Sequence, residues 1–69
     1  GRFHYREYAQ FCRTSRGSLT ELQDHLSVAT DESYITIEEE ITLNDRIEEC
    51  VKLLNGFIKY LLNAKNQNS

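Results

Sequence analysis

The residues in this chain that could do chemistry are few and scattered. His25 follows Glu21 by four, which puts both on one face of a helix. Metal centres in helical bundles use Glu-x-x-His pairs with further inward carboxylates. Here the spacing is wrong and one His stands alone, so the pair reads as solvated surface. Cys12 and Cys50 are too few and too far apart for zinc. Ser15 and Ser18 lack a neighbouring His–acid pair, so neither has a base to make it a nucleophile. His4 lies between Arg2 and Arg6 and reads as surface. There is no Gly-rich phosphate loop and no dinucleotide fingerprint. No catalytic residue, metal or cofactor is assigned, and no enzyme is expected.

One cluster has ligand chemistry. Arg2, Arg6 and Arg13 share a helix flank, with Arg16 close to it and Tyr5 and Tyr8 interleaved. Guanidinium groups neutralise phosphates, and aromatic rings stack on bases. Arginines in the first half of a helix oppose its dipole, so helix stability does not explain them. These four are the candidate RNA or DNA contacts. The competing reading pairs them with acids of a second copy or of absent helices.

The elements that position these residues are two helices. The first is expected over about residues 3–30, because Tyr8, Cys12, Ser15, Leu19, Leu22, Leu26 and Ala29 step by four and three. A short polar connection, Asp31 to Ile35, implies antiparallel neighbours. The second helix is expected over about 36–64, opened by a Thr36-x-x-Glu39 capping box, with acids in its first turn suiting the dipole. The tail from Asn66 to Ser69 is polar and expected to fray. Folding the helices back at one constant register sets Leu26 opposite Leu43, Leu22 opposite Ile47, Leu19 opposite Cys50, Ser15 opposite Leu54, Cys12 opposite Phe57, Phe11 opposite Ile58 and Tyr8 opposite Leu61. The fold class is therefore all-α, a single antiparallel two-helix hairpin over residues 1–69.

The second helix is too apolar for a hairpin alone. Ile37, Val51 and Ile58 form one row, Leu43, Cys50 and Phe57 a second, and Ile47, Leu54 and Leu61 a third. One partner helix cannot hide three adjacent rows, and exposed apolar surface on this scale marks an interface. The expected helix interface comprises Gly17, Leu19, Leu22, Leu26, Ile47, Val51, Leu54, Phe57, Ile58 and Leu61. Gly17 inside a helix costs about 1 kcal/mol relative to Ala, and close approach of another helix would explain it.

Sixty-nine residues allow one small domain, which usually needs a staple or a partner. In the hairpin register the two thiols stand ~9 Å apart along the axes, at ~1.5 Å per residue. A disulfide needs Cα atoms within roughly 7 Å. Two free thiols point to a reducing, cytoplasmic compartment. No apolar run approaches a membrane span, and residues 1–69 show no signal-peptide pattern of basic start, apolar stretch and small-residue cleavage site. The chain opens on Gly1 instead of Met and is expected to be part of a longer protein. Its net charge is −3, unevenly spread. Residues 1–18 and 50–69 are basic, whereas residues 19–49 carry ten acids against Arg46 alone. Folding gathers the two basic ends at one tip of the rod and the acids at the other.

The run Phe11-Cys12-Arg13-Thr14-Ser15-Arg16-Gly17-Ser18-Leu19-Thr20-Glu21-Leu22 resembles the "FL-x-x-A-R-G-S-L-x-E-L" segment of the bacterial four-helix-bundle proteins encoded in 23S rRNA intervening sequences. Tyr34-Ile35-Thr36 resembles that family's "Y-I-S" break, and Leu53-Leu54-Asn55-Gly56-Phe57-Ile58-Lys59 its "M-L-N-G-L-I-K" stretch. The family is related to the accessory proteins of diversity-generating retroelements. The resemblance implies the C-terminal half of an up-down-up-down bundle, with a preceding helix pair absent. It further implies assembly into rings, commonly pentamers, and nucleic-acid binding among the retroelement members. Ser15 departs from the usual Ala, and the acidic balance departs from those basic relatives.

The expected function is a non-enzymatic bundle subunit for self-association and binding, with the basic tip on RNA or DNA. The alternative is a purely structural oligomerisation module. Expected partners are further copies or the absent N-terminal helix pair, with no membrane.

Overall fold

The structure is a computed structural model that describes residues 4–67. It contains two helices, α1 (Tyr5–Asp31) and α2 (Ile37–Gln67), folded into a rod of 51 × 15 × 15 Å. The all-α hairpin is as expected, with ends within a few residues of those read from the pattern. Phe3, the expected first helical residue, lies outside the described residues. α2 extends beyond Ala64 through Gln67, so its helical bonding continues into residues expected to fray.

Local chemistry accounts for both sides of the connection. The Thr36 N–H donates to Glu39 Oε1 at 2.8 Å, and the Glu39 N–H donates to Thr36 Oγ1 at 3.1 Å. This reciprocal box satisfies two donors that a helix start leaves unpaired. α1 ends with the Tyr34 N–H donating to the Ala29 carbonyl at 2.8 Å and the Ser33 N–H to that of Thr30 at 3.0 Å. That is the bond pattern of a Schellman stop. It places Ser33 in the left-handed region, with φ of 63°. A Cβ there costs about 1 kcal/mol, which Gly escapes. Ser33→Gly is therefore expected to stabilise the hairpin by about 1 kcal/mol, raising the thermal midpoint by roughly 4–8 °C. An unchanged or lower midpoint would show that the serine is not strained.

The helices meet along residues that again step by three and four. On α1 they are Ala9, Cys12, Arg16, Leu19, Gln23, Leu26 and Thr30; on α2 they are Glu40, Asn44, Ile47, Val51, Leu54, Ile58 and Leu61. The best-buried cluster, Ala9, Cys12, Ile58 and Leu61, sits near the open end, with Tyr5, Leu54 and Leu62 against it. Asn44 is half-buried in the seam, and its side-chain oxygen has no hydrogen-bond partner. A polar seam residue costs stability and penalises slipped alignments.

This seam corrects the expected pairing. Cys12, Leu19, Leu26, Ile47, Leu54, Ile58 and Leu61 are in it, but Tyr8, Phe11, Leu22, Leu43, Cys50 and Phe57 are exposed. On each helix the contact is rotated about half a position from the middle of the apolar stripe. The expected row followed the middle of the stripe, whereas the two helices touch through one edge of it. The remainder of both stripes is left bare.

Candidate functional site

The two flanks of the seam make two different faces. Arg16 donates a hydrogen bond across the hairpin to Asn55 Oδ1. Leu62 lies seven residues beyond Asn55, hence on the same flank of α2, and lines one groove with Arg6, Glu7, Gln10 and Arg13. The arginine flank of α1 and the Asn55–Leu62 flank of α2 thus share one face. Lys52 and Lys59 fall on this side of α2 by helical spacing. Tyr8, Phe11 and Leu22 of α1 and Leu43, Leu53 and Phe57 of α2 fall on the opposite side of the seam. They make that side largely apolar, with Arg46 among them, and Phe11 is 72% and Leu53 73% exposed.

The four candidate arginines separate. Arg6 and Arg13 are exposed on the basic face and form no ion pair among the described residues. Arg16 is half-buried and donates to Asn55, a bond that ties α1 to α2. Arg2 lies outside the described residues. The structure adds Lys52 and Lys59, which are exposed on the same face. The charge pattern places them at the basic end, but their facing depended on the relative rotation of the helices.

Of the expected interface residues, Leu19, Leu26, Ile47, Val51, Leu54, Ile58 and Leu61 lie in the hairpin seam, while Leu22 and Phe57 lie on the bare apolar face. Gly17 is on neither. A Cβ built on it meets nothing within 4 Å, so no helix of this chain crosses it closely. Gly56 is equally open. The residues weighed for chemistry stay apart. Glu21 and His25 stand 3.9 Å apart in solvent, and no group of three or more potential metal ligands occurs among the described residues. Cys12 is buried and Cys50 exposed, both free. No helix of the described residues is long and apolar enough to cross a membrane.

The two motif blocks meet in space, since the Arg16–Asn55 bond joins Arg16-Gly17-Ser18-Leu19 to Leu54-Asn55-Gly56. Residues 1–56, which hold both, match the family model described as 23S rRNA-intervening sequence protein. The chain belongs to that family. No curated protein and no solved structure matches it. For this 23S rRNA-intervening sequence protein the match covers α1, the turn and most of α2. The expected resemblance is thereby established at the level of the family.

Proposed function

We propose that this member of the 23S rRNA-intervening sequence protein family is a non-enzymatic assembly module, half of an up-down-up-down four-helix bundle that self-associates. The observation that carries the reading is the off-centre seam. A helix in a four-helix bundle has two neighbours, so the middle of its apolar stripe points between them and each neighbour takes one edge. Both helices here offer their partner one edge only. The other edges lie side by side on one face, where a second helix pair would complete the bundle. Sedimentation equilibrium over a concentration series tests this. A dimer or larger discrete species is expected, and a monomer at every concentration would sink it.

A second reading concerns the opposite face. Arg6, Arg13, Lys52 and Lys59 are exposed there without ion pairs among the described residues, and phosphates of RNA or DNA are the chemistry that would use them. Binding through them is expected to weaken steeply with salt, because each phosphate contact releases a counterion. Arg6→Glu with Arg13→Glu should abolish retention on immobilised RNA at low salt while leaving helicity unchanged. Equal retention by the double variant would exclude this face. If the variant instead loses mass in sedimentation, the arginines pair with acids of a neighbouring copy, the purely structural alternative.

A further inference from the structure

We propose that the basic face takes a short single strand of RNA or DNA, with an unpaired base turned into the groove beside Arg6 and Arg13 and held there by Glu7 and Gln10. The inference rests on the nucleic-acid reading above and adds the form of the strand, its length and the base it favours.

The exposed cations form a track along the rod. Ala9 and Cys12 share the core cluster with Ile58 and Leu61, which sets Lys59 level with the stretch of α1 between Arg6 and Arg13. The Arg16–Asn55 bond sets Lys52 about one turn beyond Arg16. The order along the rod is therefore Arg6, Lys59, Arg13 and Lys52, over about 18 Å at ~1.5 Å per residue. That length suits about five steps of a strand at ~3.4 Å per phosphate. Past Lys52 the same face turns acidic. Asp24 follows Arg6 by eighteen residues, five helical turns, and Asp45 precedes Lys52 by seven, so both exposed acids lie on the flanks of those cations. Glu48 precedes Lys52 by four and is also exposed on that side. A polyanion running on towards the turn would meet like charge, which keeps the footprint short.

The groove selects the form of the strand. It encloses about 450 Å³ between Arg6, Glu7, Gln10, Arg13 and Leu62, within the ~300–1,000 Å³ of small-ligand sites. Arg6 and Arg13 are two turns apart, ~10.5 Å, or about three phosphate steps. Leu62 offers a base an apolar contact, and Glu7 and Gln10 offer polar groups to its edge. In a duplex those edges are paired and stacked, so only an unpaired base can enter. Glu7 carries the choice of base. A carboxylate repels phosphate, and this one is not there to neutralise the arginines, because its ionic contact is with His4. It can only accept hydrogen bonds, so it favours a base with an exocyclic amine. Cytosine presents one at N4, where uracil and thymine present a carbonyl oxygen.

Fluorescence anisotropy of labelled oligonucleotides of about eight residues with the 69-residue chain, at low salt, tests the proposal; that length covers the ~18 Å track. Oligocytidylate is expected to bind roughly tenfold tighter than oligouridylate, within the range of one base-edge contact. It should also bind tighter than a hairpin-closed duplex of equal length. Glu7→Gln, whose amide can donate to uracil, should erase the cytosine preference while overall binding is kept or strengthened. A duplex that binds as well as the single strand overturns the strand form. Equal binding of the two oligomers, or a cytosine preference that survives Glu7→Gln, overturns the role of the groove. In those cases the phosphate reading stands so long as Arg6→Glu with Arg13→Glu still abolishes binding. Binding of no oligonucleotide, single or double, overturns both.

Discussion

Leu53→Glu with Phe57→Glu is expected to leave a folded hairpin that no longer self-associates. Both side chains lie on the bare face, Leu53 at 73% and Phe57 at 47% exposure, and neither belongs to the buried cluster. Burying a large apolar side chain at an interface contributes about 1.5–3 kcal/mol. The double variant removes two such contributions and would force two carboxylates out of water. Association should weaken more than ~100-fold, since 1.4 kcal/mol is a factor of ten. Sedimentation equilibrium should then report a monomer at concentrations where the parent is assembled, with helical circular dichroism retained. A variant that keeps the parent's mass would show that the apolar face is not where copies meet. Leu22→Glu, placed on α1, repeats the test from the other helix.

Leu61→Ala should do the reverse, damaging the fold itself. Leu61 is 3% exposed and shares the core cluster with Ala9, Cys12 and Ile58. Large-to-small changes at such sites cost about 2–5 kcal/mol, the lost transfer energy plus the cavity left behind. A chain of this size rarely has more than about 3–5 kcal/mol from its core. The substitution should lower the thermal midpoint by about 10 °C or more, or abolish cooperative melting. Leu53→Ala should shift the midpoint little under dilute, monomeric conditions, because its side chain is already in water. Equal effects of the two substitutions would mean that the hairpin seam is not the one described.

The contrast between Leu61 and Leu53 also marks the boundary of what could be read before folding. The composition and three-and-four spacing of both rows made them look equivalent. Leu61 was placed correctly in the seam, whereas Phe57 and Leu22 were placed there and lie outside it. Gly17 meets no helix of this chain, so a close crossing there would involve another one. Arg16 shares its spacing with Arg6 and Arg13 and also donates to Asn55. The difference in the seam comes from the rotation of one helix against the other.

The existence of two helices, their approximate ends and the capping box at Thr36 depend on hydrogen bonds between residues close in sequence. Such bonds are written in local sequence, which is why these features were legible there, as was the segregation of acids towards the turn; the left-handed stop at Ser33 was not, because no Gly or Asn marks it. The family was legible too, because its motif blocks are continuous runs. The choice of seam edge was not. Apolar attraction has no direction, and both stripes are wider than a single helix contact. Contacts between residues some forty positions apart, such as Arg16 with Asn55, accompany one edge. That rotation set Phe11, Leu53 and Phe57 on one side of the seam and Arg6, Arg13, Lys52 and Lys59 on the other.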